Sequence, residues 1–278
     1  MLNVDLHCHS KVSDGALAPA ALAARASAGG VDIWALTDHD EIDGISEARE
    51  AAASLGMRHV TGVEISVTWA ARTVHIVGLK FDERNQDLAQ GLQHTRSGRE
   101  RRAREMAAQL AAVGIPDAFE GALKYVGNPD LISRTHFARY IVETGACKDV
   151  SEVFSNYLID GKPGFVPHRW AALKDAIGWI RGAGGIAVVA HPGRYDFDEL
   201  ELDVFLSEFK RLGGAGLEVV TGSHTEDEYG RFASVAKRYG LLASRGSDFH
   251  APGESQADLG ALPPLPAGVV PVWHDWRW

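Results

Sequence analysis

Histidines and acids fall along this 278-residue chain in short clusters able to do chemistry: Asp5-Leu6-His7-Cys8-His9, Asp14, Thr37-Asp38-His39, Glu64, His75, His191 and Ser247-Asp248-Phe249-His250. Six of the 12 histidines belong to this set, alongside the three carboxylates Asp14, Glu64 and Asp248 and the two further acids Asp5 and Asp38. Side chains alternate along a strand, so His7 and His9 project to one side while Cys8 faces the other. The same alternation brings Asp248 and His250 together. Imidazole combined with carboxylate suits zinc, manganese or iron better than magnesium or calcium. A single histidine at a strand end is ordinarily a hydrogen-bonded structural residue, but the constellation as a whole points to a metal centre. Asp5, Asp38 and Asp40 are expected as supporting or capping acids, because a metal-bound imidazole commonly donates its other N–H to a carboxylate.

Most of these residues sit at or just beyond the C-terminal end of an expected strand. The strands are Asn3 to Leu6, Ile33 to Thr37, His59 to Val63, Ile186 to Ala190, Gly216 to Val220 and Leu241 to Ser244. Each is a short apolar run followed by a turn and a helix-like stretch, the βα alternation of an α/β fold with a parallel sheet or barrel. A barrel builds its active site at the C-terminal ends of its strands, where residues remote in sequence converge. One helix opens at Pro19, a residue favoured at the first helical position, and stops at Gly29 and Gly30. Another carries Trp170, Leu173, Ile177 and Ile180 at spacings of three and four, one buried face.

The middle of the chain breaks the alternation. After an apparent hairpin from Glu64 to Phe81, with its second strand at Thr73 to Leu79, residues 85–163 read as helix, loop, helix, loop. Met106, Leu110 and Val113 mark one helical face there, and Phe137 and Ile141 another. Residues 1–84 and 164–278 are therefore expected to form the barrel, with 85–163 as a helical insertion capping the substrate. The arginine-rich start, Arg96 to Arg104, reads as a solvated helix face, since Glu100 lies four residues before Arg104.

Composition excludes several classes. Apolar residues make up 45% and charged residues 23%, as in a folded globular protein. A net charge of −9 disfavours capture of long duplex nucleic acid, which rests on many phosphate contacts. No apolar run reaches the roughly 18 to 20 residues of a membrane span. Two distant cysteines, Cys8 and Cys147, offer no disulfide framework or cysteine-rich zinc site, and the N-terminus has no leader pattern, so a cytoplasmic location is expected.

The series H-x-H, Asp14, T-D-H, Glu64, His75, H-P-G and S-D-F-H resembles the PHP family (polymerase and histidinol phosphatase), related to the amidohydrolases, over nearly the whole chain. All nine of that family's ligand positions have counterparts here. The resemblance implies a distorted (β/α)7 TIM-like barrel with two or three divalent ions per chain, manganese first and iron or zinc as alternatives. It implies His7, His9, Glu64 and Asp248 on one ion, Glu64 with His75 and His191 on a second, and Asp14, His39 and His250 on a third. His7, His9, Asp14, Glu64 and Asp248 are the implied catalytic residues. The insertion, with Ser133 to His136 (S-R-T-H), Gly161 to Gly164 (G-K-P-G) and Ala190 to Tyr195 (A-H-P-G-R-Y), is similar to the TrpH/YciV-type branch. That branch includes enzymes similar to 3',5'-nucleotide bisphosphate phosphatases.

The implied activity is hydrolysis of the 3'-phosphate of a nucleotide 3',5'-bisphosphate, such as adenosine 3',5'-bisphosphate, by a metal-bridging hydroxide formed because metals lower the pKa of water to about 7. Short oligonucleotides, cut by a 5'-to-3' exonuclease, are the alternative substrates; histidinol phosphate hydrolysis and a non-catalytic metal-binding module are further alternatives. Arg194 follows His191 by three residues and is expected to clamp phosphate. Arg134 and Lys162 are expected to close over the substrate from the insertion, and His168 and His224 to donate a proton or touch a second phosphate. His59, His94 and His274 read as structural or surface residues. Core packing is the reading for Phe165, Trp170 and Tyr195. The tryptophan-rich tail, 272–278, is expected either to pack back on the barrel or to meet a partner.

Overall fold

In the computed structural model, which describes residues 2–277, seven strands form a nearly closed ring. The order of elements is β1 (Val4–Asp5), α1 (Pro19–Ala28), β2 (Ile33–Leu36), α2 (Ile45–Ser54), β3 (Arg58–Trp69), β4 (Arg72–Leu79) and α3 (Gln86–Arg96). Then follow α4 (Arg99–Ala112), α5 (Ala118–Leu123), α6 (Arg134–Glu143), α7 (Val150–Val153), β5 (Ala171–Ala172) and α8 (Leu173–Gly182). The chain ends through β6 (Ile186–Val189), α9 (Glu199–Arg211), β7 (Gly216–Thr221), α10 (Glu226–Tyr239) and β8 (Leu242–Gly246). The ring runs β1-β2-β3-β4-β6-β7-β8, with β5 pairing with the end of β3. β4 alone runs antiparallel to its neighbours in the ring. Closure comes from Leu6 N–H donating to the Arg245 carbonyl at 3.0 Å and from a parallel bridge between Cys8 and Phe249. This is the expected α/β architecture, a distorted TIM-like barrel.

Local chemistry accounts for the elements. Pro19 opens α1 and Gly29 closes it, as its sequence predicts. All four residues of β2 are buried, the mark of a strand covered on both faces. β3 runs 12 residues instead of stopping at Val63, because the strand expected to end there continues straight into the hairpin. Trp170 stands outside α8, whose buried face is Leu173, Ala176, Ile177 and Ile180. Its ring instead lies under the guanidiniums of Arg99 and Arg102, 4.6 and 5.4 Å from the centroid. Val113 ends α4 and is 45% exposed; Ile115 takes the buried place expected for it.

Residues 103–166 enclose a separate apolar cluster containing Met106, Leu110, Phe119, Phe137, Ile141 and Leu158. Leu88 and Leu92 of α3 pack instead into the barrel-side core with Ile177 and Ile180. The interior of the ring holds Leu6, Ile33, Val60, Val77 and Val188, and the tail contributes Val272 and Trp276 to that cluster. The tail thus packs back on the barrel; Trp278 lies outside the described residues. Burying a large aromatic at the foot of the barrel predicts that Trp276→Ala lowers stability by about 3–5 kcal/mol in denaturant titration, without altering metal binding in the folded protein.

Candidate metal centre

All nine expected donors converge at one rim of the barrel, where the parallel strands end and where the antiparallel β4 brings His75 from its first half. Glu64, fully buried on β3, lies at the middle. Its Oε2 is 3.3 Å from the Nε2 atoms of His7 and His9 and 3.0 Å from Nδ1 of His39. Its Oε1 is 3.0 Å from Nδ1 of His75 and 2.9 Å from Nε2 of His191. Asp248 Oδ1 stands 3.5 and 3.3 Å from the same nitrogens of His7 and His9. Asp14 Oδ1 is 3.4 Å from His250 Nε2 and 3.9 Å from His39 Nε2. Four overlapping groups result: His7, His9, Asp248; His7, Glu64, His191; His39, Glu64, His75; and His9, Asp14, His39, His250. The last adds His9 to the set expected around Asp14.

Divalent ions fit this donor set. Glu64 Oε2, Asp14 Oδ1 and His9 Nδ1 are buried with no hydrogen-bond partner, an arrangement that costs free energy unless a cation meets them. Burial opposes the charge on Glu64, but the imidazoles of His75, His7 and His39 outweigh it and hold its carboxyl well below the usual range. Asp248 and Asp14 are held low against burial in the same way, by His7 and His39 respectively with their neighbours. Burial opposes a proton on His9, yet Asp248 and Glu64 raise it to about 10. His191 goes the other way, to about 3, through burial and the nearby Arg194.

Backbone detail aims the donors. His191 and Asp248 both take positive φ, 25° and 55°, a strained conformation for non-glycine residues at strand ends. Asp248 N–H donates to the His7 carbonyl at 2.8 Å. Gly246 is required beside this pair, since a Cβ there would stand 2.3 Å from that of His7. Cys8 faces away, as alternation predicts, into the cluster with Trp34, whose Nε1 donates to its sulfur at 3.1 Å.

Sequence reasoning missed Glu218. It is buried on β7, accepts from His7 Nδ1 at 2.8 Å and from His191 N–H at 2.6 Å, and so orients two donors at once. The available signal was a carboxylate inside an otherwise apolar strand. Asp5, Asp38 and Asp40 are capping acids: Asp5 accepts from Ser247, Asp38 from Ser10 and Ser13, and Asp40 from Ser66 and Arg99.

A cleft of about 510 Å³ opens over the donors. Arg134 and Arg194 line it as expected, Arg194 3.0 Å from Asp248 Oδ2. Three other expected contacts are not brought there. Lys162 is exposed in a turn outside the cleft lining, where the 161–164 turn points it to solvent. His168 packs on Trp170 at 4.3 Å, outside the lining, and burial with Arg102, Arg99 and Arg101 pushes it to about 4. His224 has both ring nitrogens engaged by backbone, accepting from Gly193 N–H at 2.9 Å and facing the Val219 carbonyl at 3.2 Å, so it braces the turn before Arg194. Arg99 and Arg102 line the cleft instead. The arginine run is thus split: Arg101 and Arg104 form exposed pairs with Glu105 and Glu100, as a solvated face would, and Arg99 and Arg102 turn inward. Ser133 and Thr135 donate to Asp14 Oδ2 at 3.1 and 3.0 Å, which is the physical role of the S-R-T-H string.

Residues 5–181 match the PHP domain family. The chain belongs to the PHP family. It is 51% identical over 275 residues to a 3',5'-nucleoside bisphosphate phosphatase of Chromobacterium violaceum, covering 99% of this chain and 96% of that one. It is 43% identical over 270 residues to a 5'-3' exoribonuclease of Haemophilus influenzae, covering 97% of each. A solved amidohydrolase from C. violaceum superposes with a TM-score of 0.96 at 51% identity, covering 98% of this chain and 95% of that one. This PHP protein is accordingly a metal-dependent phosphoesterase. No helix among its described residues is long and apolar enough to cross a membrane.

Two outcomes follow. Glu218→Gln keeps the shape but loses the charge that orients His7, so manganese affinity should fall about 10- to 100-fold by calorimetric titration while the fold persists. Negative neighbours keep protons on His7 and His9, and a ligand must shed them. Manganese loading near neutral pH should therefore release protons, and its enthalpy should vary with the ionisation enthalpy of the buffer; affinity should weaken as pH falls.

Proposed function

We propose that this PHP protein removes the 3'-phosphate of nucleotide 3',5'-bisphosphates, giving the 5'-mononucleotide and inorganic phosphate. The observation that carries this reading is a second positive locus in the metal cleft. Arg102 is 7% exposed, donates through Nε to the Val166 carbonyl, and has no carboxylate partner among the described residues. Arg134 donates to the Leu158 carbonyl and likewise has no carboxylate partner there. Burial, with repulsion from Arg134 and Arg99, lowers Arg102 to about 9, and burial, with repulsion from Arg194 and Arg99, lowers Arg134 to about 10. Arg102 is buried and Arg134 half-buried, and a cation withdrawn from water without a counter-charge is costly, so the two together mark a seat for an anion. A bisphosphate supplies one phosphate for the metal donors and one for these arginines.

His7, His9, Asp14, His39, Glu64, His75, His191, Asp248 and His250 would hold two or three divalent ions, manganese by preference and iron or zinc as alternatives. Bound there, such ions supply Lewis acidity and water of lowered pKa. Arg194 would hold the 3'-phosphoryl oxygens, and Arg102 with Arg134 the 5'-phosphate, so that water attacks in line and the 3'-oxygen leaves with a proton. Residues 85–163 act as the cap, since the cleft's Arg99, Arg102 and Arg134 all come from that stretch. A cluster of guanidiniums disfavours histidinol phosphate, whose ammonium it would repel, and the complete donor set disfavours a non-catalytic module. Two buried free thiols agree with a cytoplasmic location. The 5'-to-3' exonuclease reading uses the same chemistry on a phosphodiester.

The test is phosphate release by manganese-loaded protein from adenosine 3',5'-bisphosphate, beside the 3'-mononucleotide and histidinol phosphate. The bisphosphate should be strongly preferred, and Arg102→Ala should cut its kcat/KM about 10- to 100-fold, the range of one charge-assisted hydrogen bond. The 3'-mononucleotide should hardly notice that substitution. Equal loss on both would refute the assignment of Arg102 to the 5'-phosphate.

A further inference from the structure

The nine donors are not supported alike. His7 and His191 are held by Glu218, and His75 by the Tyr195 hydroxyl, which accepts from its N–H at 2.8 Å. Asp248 is held by the His7 carbonyl. All these supports belong to the barrel. Among the described residues, Asp14 is the one donor that a hydrogen bond joins to residues 85–163, and the other eight have none to that stretch.

One turn of α6 makes the contact. Ser133 stands at its N-terminus, its N–H donating at 3.0 Å to Nδ1 of the buried His136, which fixes the turn. From that turn Ser133 Oγ and Thr135 Oγ1 reach Asp14 Oδ2 at 3.1 and 3.0 Å. A carboxylate turns easily about its last bond unless one oxygen is held. With Oδ2 held twice, Oδ1 faces His250 Nε2 at 3.4 Å and both His39 Nε2 and His9 Nδ1 at 3.9 Å, and no hydrogen bond takes it up. These four residues are the donors of one ion position. The same helix also grips the His250 side of it. Arg139, 8% exposed, donates to both Glu254 oxygens at 2.8 to 3.2 Å. Glu254 belongs to the loop whose Ser255 Oγ accepts from His250 N–H at 2.7 Å. His250 Nδ1 donates to the Asp248 carbonyl at 2.9 Å, which leaves Nε2 free to meet an ion.

We propose that the insertion completes the ion position at Asp14, with Ser133 and Thr135 as its positioning residues, while the barrel alone supports the donors of the other positions. Residues 103–166 pack around their own apolar cluster, Phe137 and Ile141 of α6 included, so the hold on Asp14 is a docking contact between two packed bodies. Ion binding at Asp14 and docking of α6 are then one linked equilibrium, since each favours the same setting of the carboxylate. Linkage is reciprocal. Loss of the two hydroxyls should weaken one ion selectively, and filling that position should in turn quiet α6. The proposal stands on the donor geometry and holds whichever phosphoester the cleft takes.

The experiment titrates manganese into the metal-free protein, counting free ion by its EPR signal and bound ion by metal analysis. Wild type, Thr135→Val, Ser133→Ala/Thr135→Val and Thr135→Ser are compared. The wild type should take up three ions. In Thr135→Val one of the three should bind about tenfold more weakly, and in the double variant up to about 100-fold, with the other two unchanged; this is the range for residues that orient a metal ligand. Thr135→Ser keeps the donor and should bind as the wild type does. Amide hydrogen exchange across 134–143 should slow as the third ion is added to the wild type, and should not slow at the same manganese concentration in the variants lacking the donor. Valine keeps the shape of threonine, so Thr135→Val decides the matter should the double variant fail to fold. Three ions bound as in the wild type, or three weakened alike, would overturn the proposal. So would a wild type that holds two ions and no third, or exchange in α6 that is indifferent to manganese.

Discussion

The carboxylate of Glu64 is the constraint around which the molecule is arranged. Fully buried, it faces five imidazoles, four from just beyond β1, β2 and β6 and one from within β4, each within 3.3 Å. A buried charge survives only when paired, and here the pairing is distributed over donors that also repel one another when protonated. Divalent ions held there would resolve that conflict, replacing the protons and meeting the oxygens that no hydrogen bond reaches. The strained backbone at His191 and Asp248, the glycine beside His7, and Glu218 behind two imidazoles all serve the same convergence.

The insertion takes part in that convergence. Ser133 and Thr135 occupy one oxygen of Asp14 and leave the other turned to the centre. Two ion pairs, Arg99 with Asp40 and Arg139 with Glu254, fasten the insertion to the barrel loops that carry the donors. Such pairs fix geometry more than they add stability, since desolvation offsets much of their attraction. The exposed pairs of α4, Arg101 with Glu105 and Arg104 with Glu100, contribute little. The cleft lining and the nine donors therefore share one set of supports, and a change in residues 99–139 should be felt at the donors.

The opposite end of the barrel has no such polar demands. There the interior is closed by aliphatic side chains and by the returning tail, whose Val272 and Trp276 join that cluster as the segment pairs with Ala243 of β8. Stability is concentrated at the foot and chemistry at the rim, so the strain stored at His191 and Asp248 is supported by packing elsewhere.

What the sequence determined by itself was the chemistry and the class of fold. The donor types and their place after apolar runs marked a metal centre on an α/β barrel, because strand alternation and the C-terminal site of a barrel are local and topological rules. Pro19 and Gly29 fixed the bounds of α1 for equally local reasons. Only the tertiary structure decided which polar residues away from the donors reach the cleft. Lys162, His168 and His224 occur near suggestive strings, yet a turn, a tryptophan ring and two backbone groups take them. Arg99 and Arg102 looked like members of a solvated run until the packing of α4 over Trp170 turned them inward. Glu218 gave one acid in an apolar strand, and its meaning depended on ring closure, which sets β7 one strand away from β1 and its His7. The inward turn of Arg102 and the place of Glu218 rest on contacts between residues tens to hundreds of positions apart, and no spacing along the chain encodes them.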